Sequence, residues 1–296
     1  MDKVTINEYN ISSPNISNNE RFAFISDVHS DYIKFEQILE ILYNLKIDIL
    51  LIGGDLIDSL SDYRNNSIIK DLLMDFSKNA FIFISIGNHD IVSSGKKDEL
   101  DFWTDISKIN NIYLSDFPKK GSTLSEWPFE NDIEICILNL PLSYYLKKEE
   151  NTYFNKHITI MDNLNLDNRK YNILLCHSPN NMIIEGKINE YIKEKNINLI
   201  LSGHMHGGLI PNCIRKNTYG SGLIGPYESL FPGYSYGVIQ NDNISILTTG
   251  GVVKIVDRNS GHLKSIIDFI YPPEVEILNL KKSEENGITK VKRKHR

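Results

Sequence analysis

Short apolar runs alternate with segments of helical periodicity in the first third of the chain. The run "RFAFIS" (Arg21 to Ser26) precedes a segment in which Ile38, Ile41, Leu42 and Leu45 recur at the i, i+3, i+4, i+7 spacing of an amphipathic helix. Two further apolar runs, with a helical stretch between them, continue the alternation: 48–52, 67–76 and 81–86. This β-α-β-α-β order is typical of a parallel sheet that is buried on both faces.

The rest of the chain continues the pattern and then changes it. A helix is predicted near 100–109, short strands run through "IEICILNL", and strand, helix and strand are predicted at 171–176, 183–195 and 197–202. From Tyr234, the segments "YSYGVIQ", "NISILTTGG" and "PEVEILNL" look like strands in antiparallel order, which suggests a second sheet packed on the first. The expected fold class is therefore α/β, with one domain over residues 1–280.

The final segment, residues 281–296, is polar and basic without periodicity. It is predicted to be a solvated, mobile tail, and the alternative is a weak contact with an anionic surface.

The net charge of −6 argues against a general attraction to nucleic acid, so no specific nucleic-acid partner is predicted. No signal peptide is predicted, and no apolar run comes near the ~18 residues that cross a bilayer. Three cysteines without a CxxC pair favour buried thiols in the cytoplasm, with peripheral membrane association as the alternative. No oligomeric state is predicted.

Polar side chains follow five apolar runs at the point where each run ends. Ligands of an open parallel sheet bind beyond the carboxyl ends of its strands, so these positions are informative. The steps between successive groups, 28 and 33 residues early in the chain and 27 later, match a βαβ unit of roughly 30 residues. The residues are Asp27, His29, Asp55, Asp58, Asn88, His89, Asp90, His177, His204 and His206.

Each of these residues has an ordinary structural explanation when taken alone. Asp27 or Asp55 would serve as a helix N-cap, Asn88 as a turn residue and His177 as a satisfied core histidine. Together they would crowd carboxylates at one edge, and burial of such charges costs several kcal/mol unless a cation neutralises them. Mixed oxygen and nitrogen ligands favour Mn, Fe or Zn, and the number of candidates fits two divalent ions, Mn first, that share a carboxylate.

The ordered set Asp-x-His, Gly-Asp-x-x-Asp, Gly-Asn-His-Asp, a lone His and Gly-His-x-His resembles the calcineurin-like metallophosphoesterase superfamily from about 21 to 210. "GHMHGGLI" and "PPEVEILNL" are further similar to its bacterial branch of phosphodiesterases, some of which cleave the pyrophosphate of UDP-diacylglucosamine. The resemblance implies a two-sheet β-sandwich flanked by helices, an αββα fold.

The resemblance also implies a role for each residue. One metal would be bound by Asp27, His29 and His206, the other by Asn88, His177 and His204, and Asp55 would bridge the two. His89 would face the substrate, Asp90 would orient His89, and Asp58 would hold a ligand imidazole or a water in place. A further metal ligand is the alternative for His89.

The expected reaction is hydrolysis of a phosphodiester or pyrophosphate by a metal-bound hydroxide, with a small phosphate ester or nucleotide-type molecule as substrate. His89 would stabilise phosphoryl charge or protonate the leaving group. Asp58 is followed by Ser59, where protein phosphatases of the superfamily have an arginine that clamps a dianionic phosphoryl group, so a diester is favoured; Arg215 is a candidate to restore the clamp. The alternatives are a phosphomonoesterase, a DNA nuclease of the same superfamily, and a non-catalytic metal-binding scaffold.

Aromatic residues between Asp90 and His177 are candidates to stack a base or sugar, with core or surface packing as the ordinary alternative. They are Trp103, Trp127, Tyr144 and Tyr145. The loop "YGSGLIGPYESLFPGY" is a candidate to close over the site, and a plain connection is its alternative.

Overall fold

The structure, a computed structural model, describes most of the chain. The described residues are 3–58, 63–93, 97–118, 121–129, 132–146, 157–180, 182–184, 187–211, 222–223, 234–241, 243–253 and 270–295.

The strands are, in chain order, β1 (Thr5–Ser13), β2 (Glu20–Ile25), β3 (Ile49–Ile52), β4 (Phe81–Ile84), β5 (Ile112–Leu114), β6 (Thr123–Phe129), β7 (Ile133–Asn139), β8 (Tyr171–Cys176), β9 (Ile183–Ile184), β10 (Lys187–Ile188), β11 (Leu199–Ser202), β12 (Gly237–Asn241), β13 (Ile244–Thr248), β14 (Glu274–Lys282) and β15 (Gly287–His295). The helices are α1 (Tyr32–Asn44), α2 (Tyr63–Phe76), α3 (Asn88–Ser93), α4 (Lys97–Ile106), α5 (Leu142–Leu146) and α6 (Glu190–Lys193), with short 3₁₀ helices at Thr159–Asn163 and His206–Leu209.

Two mixed sheets contain nearly all of these strands. The first sheet has the order β15-β1-β14-β2-β3-β4-β5, and the second has the order β12-β13-β11-β8-β7-β6. Strands β2, β3, β4 and β5 run parallel, as do β7, β8, β11 and β13. The carboxyl ends of two parallel groups therefore carry the residues that the sequence predicted to be functional.

Three apolar layers hold the sheets and helices together. Phe22 and Phe24 of β2 point between the sheets, where they join Leu175 and Leu201 of the second sheet. The alternate residues of the first sheet face α1, α2 and α4, and those of the second face α5 and α6. Because side chains alternate along a strand, each buried strand contributes to two layers at once. The architecture is the αββα sandwich that the resemblance implied.

The second sheet differs from the sequence prediction in its membership. Strands β12 and β13 pair antiparallel, as expected, but β13 also pairs parallel with β11. Strand β14 instead joins the first sheet, antiparallel to β2 and parallel to β1. Periodicity predicts that a segment is a strand, but the partner of a strand depends on contacts distant in sequence, which periodicity does not encode.

The helix predicted at 183–195 is wrong over most of its length. The described residues there form the β9–β10 pair and only four residues of helix, α6. The side chain of Asn189 caps α6 by accepting a hydrogen bond from the backbone N–H of Tyr191. Asparagine favours the start of a helix, so α6 begins directly after Asn189 and covers only the last part of the predicted range.

The basic C-terminal segment is also not a mobile tail. Residues Gly287–His295 form β15, which pairs antiparallel with β1 at the edge of the first sheet. Lysine-rich sequences are typical of edge strands because their charge prevents pairing with another chain, and this explains a composition that resembles a solvated tail. That residues 1–280 form one domain stays a prediction.

None of the described helices is long and apolar enough to span a membrane.

Candidate metal centre

The candidate site lies where the two sheets meet at the carboxyl ends of five strands. Strands β2, β3 and β4 of the first sheet bring Asp27, Asp55 and Asn88, with their neighbours, while β8 and β11 of the second sheet bring His177 and His204. The sequence predicted one sheet edge, whereas the structure forms the site from two. Three sets of side chains, all buried apart from His89, have donor atoms within 4.8 Å of one another: Asp27, His29 and His206; Asp55, His177 and His204; and His29, Asp55 and His89.

The backbone at these residues adopts a conformation that is rare outside glycine. Asp27, His29, Asp55, His204 and His206 have φ values of 59°, 49°, 52°, 67° and 47°. Each such residue is disfavoured by contacts of its Cβ with the following backbone, and the surrounding structure must compensate. Positive φ turns a side chain sharply away from its strand, which lets consecutive short loops aim several donors at one point.

Two motif glycines allow the loops to approach one another. A Cβ atom at Gly87 would overlap the carboxylate of Asp55, and one at Gly203 would overlap the hydroxyl of Ser26. The sequence showed these glycines next to the candidate ligands, and the structure gives the reason. Any larger residue would push apart loops that belong to different strands.

The group around Asp55 contains opposite charges in close contact. Nε2 of His177 lies 3.2 Å from Oδ2 of Asp55, and Nε2 of His29 lies 3.8 Å from the same oxygen. Burial alone would raise the pKa of Asp55, but the charge of His177, followed by those of His29 and His89, holds it well below its ordinary value. Asp55 is therefore an anion at the centre of the site.

The two nearby histidines respond in opposite directions. Burial would lower the pKa of His177, but the charge of Asp55 raises it to about 9. Burial lowers the pKa of His204 well below its ordinary value, and the charge of His177 lowers it further. His204 is thus a neutral imidazole, which is the form that binds a metal, while His177 serves as the counter-charge of Asp55.

Hydrogen bonds to the backbone orient two of the histidine rings. Nδ1 of His177 lies 2.7 Å from the carbonyl oxygen of Gly53, and Nδ1 of His206 lies 2.9 Å from that of Val253. A carbonyl oxygen only accepts, so in each ring Nδ1 carries the proton and Nε2 faces the site. Carbonyl partners of this kind fix metal-binding histidines and tune their affinity.

Asp58 lies between two imidazoles. Its Oδ2 is 3.7 Å from Nδ1 of His29, and its Oδ1 is 3.5 Å from Nδ1 of His89. The side chain of His89 is 28% exposed, whereas those of His29 and Asp58 are nearly fully buried. His89 is therefore the histidine of this group that a substrate can reach.

The structure shows contacts of Asp90 with two backbone N–H groups, and an orienting role toward His89 stays a prediction. The two carboxylate oxygens of Asp90 accept hydrogen bonds from the backbone N–H groups of Ile57 and Gly87, at 2.9 and 2.8 Å. Burial and then the charge of Asp55 raise the pKa of Asp90 to about 7. Asp90 thus connects the loops that follow β3 and β4, and the carboxylate of Asp58 lies close to the ring of His89.

Two supporting features escaped the sequence analysis. Oδ1 of Asn139 accepts a hydrogen bond from the backbone N–H of Ile86 at 2.8 Å, which anchors the Gly-Asn-His-Asp loop to β7. The segment after β13, residues 249–253, contacts both Asp27 and His206. Its "TTGG" sequence is a strand end with paired glycines, the same signal that marks Gly53-Gly54.

The aromatic candidates are mostly core residues. Trp103, Tyr144 and Tyr145 are buried, and Trp127 packs against the layer between the sheets. The ring of Tyr145 lies 5.3 Å from that of His204, so it forms part of the wall behind the site. Ser59, Arg215 and all but three residues of the 219–234 loop lie outside the described residues.

The donor set fits divalent metal ions. Two of the three sets share Asp55, and the imidazoles and carboxylates are ligands that Mn, Fe and Zn accept. Oδ1 of Asn88 is buried and has no hydrogen-bond partner within the described part of the chain. A metal ion at this position would satisfy that oxygen and the negative charge of Asp55 together.

Comparisons with known proteins agree with this arrangement. A family model described as calcineurin-like phosphoesterase matches residues 20–208. A putative metallophosphoesterase of Caenorhabditis elegans is 28% identical over 196 residues, 65% of this chain but only 37% of that protein. An uncharacterized metallophosphoesterase of Bacillus subtilis, YkuE, is 26% identical over 267 residues, which are 86% of this chain and 77% of that protein.

Among solved structures, TT1561 of Thermus thermophilus has a TM-score of 0.49 at 12% identity, with 79% of this chain and 90% of that one covered. The family match extends from the start of β2 to the His-x-His motif and contains every candidate ligand. The chain belongs to the calcineurin-like phosphoesterase family.

Proposed function

We propose that the protein is a dinuclear-metal phosphohydrolase that cleaves phosphodiesters or pyrophosphates. The observation that carries this proposal is the pair of donor sets, Asp27-His29-His206 and Asp55-His177-His204, with Asp55 next to His29 as well as His177. Asn88 completes the second set through its buried oxygen. Two metal ions in these sets would polarise the phosphoryl group and activate water near neutral pH.

The protein's own groups supply orientation and proton transfer. His89, partly exposed beside the two donor sets, would donate a proton to the leaving oxygen or stabilise charge on the phosphoryl oxygens. Asp58 lies 3.5 Å from Nδ1 and orients the ring, which leaves Nε2 as the nitrogen available to the substrate. Removal of such an acid typically lowers turnover by about 10²- to 10⁴-fold.

The positions of three arginines favour a diester over a monoester, because none of them provides a guanidinium clamp beside the candidate ligands. Arg21 and Arg169 pair with Glu8 and Asp167 near the amino ends of β2 and β8, at the edge opposite the candidate ligands. The side chain of Arg64, in the first turns of α2, is exposed. A phosphomonoester carries up to two charges near neutral pH and gains more from a guanidinium clamp than a diester does.

The test is a comparison of kcat/KM for bis(p-nitrophenyl) phosphate and p-nitrophenyl phosphate on one Mn²⁺-loaded sample. We expect the diester to be preferred. A clear monoester preference would establish the phosphomonoesterase alternative, cleavage of supercoiled DNA would establish the nuclease, and absence of turnover with two bound metals would establish the scaffold.

Two variants separate the roles of the residues. Asp55→Asn is expected to lower the content of both metals, because Asp55 belongs to the second set, contacts His29 of the first and would bridge the two ions. His89→Ala is expected to retain both metals and lose turnover. If His89→Ala empties a site, His89 is a metal ligand and the assigned role is wrong.

A further inference from the structure

The segment 249–253 links the two sheets at the site, although it lies beyond the residues that match the family. It leaves β13 with a hydrogen bond from Thr249 N–H to the carbonyl of Ser202 (3.0 Å). It then crosses to the first sheet, where the N–H groups of Val252 and Val253 donate to the carbonyls of Ser26 and Asp27, both at 2.9 Å. The segment thus fixes the backbone of one candidate ligand, Asp27.

The same segment fixes the ring of a second candidate ligand. The N–H group of Val253 donates to the carbonyl of Asp27, and the carbonyl of Val253 accepts a hydrogen bond from Nδ1 of His206 at 2.9 Å. This leaves Nε2 of His206 with its lone pair, 3.7 Å from Oδ1 of Asp27. One residue, Val253, therefore sets the position of Asp27 and the tautomer of His206.

A buried side-chain network holds this segment in place. The hydroxyl of Thr249 accepts a hydrogen bond from Gly251 N–H (3.3 Å) and donates one to Oε1 of Glu276 on β14 (2.9 Å). Asn7 of β1 donates to the same carboxylate oxygen at 3.2 Å. Thr249 and Glu276 are both about 1% exposed, so each of these bonds is shielded from water.

The segment cannot easily adopt another path. Gly251 has φ of 82°, and a Cβ atom there would lie 3.0 Å from Cβ of Asp27. The carbonyl of Gly251 also accepts a hydrogen bond from Glu274 N–H at 3.2 Å. The shape of the turn is therefore defined by the hydroxyl of Thr249 within it, by Glu274 of β14 on one side and by Ser26 after β2 on the other.

We propose that Thr249 and Glu276 are positioning residues that set His206, through Val253, for metal binding. This inference rests on the proposed function, in particular on His206 as a ligand of the metal shared with Asp27 and His29. Loss of the Thr249 hydroxyl frees the turn, so His206 samples both tautomers and rotated rings. Loss of a partner that orients a ligand typically lowers metal affinity by about 10- to 100-fold.

The experiment uses the full chain and Mn²⁺ as the probe. Thr249→Val removes the hydroxyl with little change of shape, and Thr249→Ser keeps the hydroxyl. Thr248→Val is the matched control, because Thr248 is adjacent, is the last residue of β13 and is similarly buried, at 3% exposed. Equilibrium dialysis gives the affinity and number of bound ions, and nitrogen NMR of labelled histidines gives the tautomer of His206 in metal-free protein.

We expect Thr249→Val to bind one of two Mn²⁺ ions about 10- to 100-fold more weakly, with the other affinity unchanged. Its His206 should show mixed tautomers, while Thr249→Ser and Thr248→Val should behave as wild type. If valine prevents folding, Thr249→Ala removes the same hydroxyl without a new branched methyl group, and the same losses are expected.

Three results would overturn the inference. If Thr249→Val leaves both Mn²⁺ affinities and the His206 tautomer unchanged, the inference is wrong but the proposed function stands. The same holds if Thr248→Val loses as much Mn²⁺ affinity as Thr249→Val. A wild-type chain that binds no Mn²⁺ overturns the proposed function as well.

Discussion

Positive φ angles at Asp27, His29, Asp55, His204 and His206 mean that the site is built at a cost in folding free energy. Each such residue costs about 1–3 kcal/mol relative to an unstrained backbone. The sandwich of three apolar layers offsets this cost. Function and stability are therefore opposed at these positions.

Replacement of Asp27 by glycine and by alanine tests this opposition. Both substitutions remove the carboxylate, but only glycine relieves the strain at a φ of 59°. We expect Asp27→Gly to be more stable than Asp27→Ala by about 0.5–1 kcal/mol in urea unfolding without metal. At Asp90, inside α3, the order should reverse, because glycine is disfavoured in helices. A more stable alanine variant at both positions would contradict the argument.

Metal binding should release a proton from His177. The charge of Asp55 raises the pKa of His177 to about 9, yet only the neutral imidazole binds a metal. The affinity for Mn²⁺ is therefore expected to rise between about pH 6.5 and 8.5, and more protons are released at the lower end of this range. Calorimetry in buffers of different ionisation enthalpy measures the release. An affinity independent of pH would mean that His177 is already neutral.

The candidate ligands could be proposed from the sequence because the rule behind them is local. Asp55 and His204 follow directly after buried strands, and a strand end is visible in the sequence. The sequence did not predict that Asp58 lies near both His29 and His89, or that Val253 contacts His206. These contacts join residues that are distant along the chain and depend on how the sheets pack.

Strand β14 shows the same limit for an entire element. The "PEVEILNL" pattern correctly predicts a strand, with Leu278 and Leu280 between the sheets. Its place between β1 and β2 follows from pairing that the pattern does not contain. The two glutamates at its start face the same interior, an unusual position for charged residues.

The burial of Glu276 should make stability depend on pH. Burial and then the charge of Glu274 raise the pKa of Glu276 to about 7, so the folded protein holds a proton that the unfolded chain releases near its ordinary value of 4.5. This effect lowers the free energy of unfolding as pH rises from about 5 to 7. Glu276→Gln removes it, so the melting temperature of the variant relative to wild type should increase over that range. A constant difference would show that Glu276 is ionised throughout.

The pairing of β15 with β1 makes the C-terminal segment part of the first sheet. Its loss would expose the hydrogen-bonding edge of β1 and uncover Tyr9, over which the ammonium of Lys290 lies at 5.4 Å. A chain that ends at Asn286 is therefore expected to melt earlier, by about 2–4 °C for each kcal/mol lost, and to associate at high concentration. Thermal melting and light scattering measure both effects. Lys292→Ala, which keeps the strand, is the control, and a truncated chain as stable as wild type would restore the mobile-tail prediction.

The position of β1 between β14 and β15 also has a consequence for synthesis. Asn7 and its partner Glu274 are 267 residues apart. A ribosome that adds about 5–20 residues per second therefore reaches Glu274 roughly 10–50 s after it has synthesised β1. During that time β2, β3 and β4 can assemble from neighbouring segments, but the edge of β2 that β14 will occupy stays open. The nascent chain thus carries an unpaired strand and an uncovered sheet edge until β14 emerges, and this interval is when it is most exposed to aggregation.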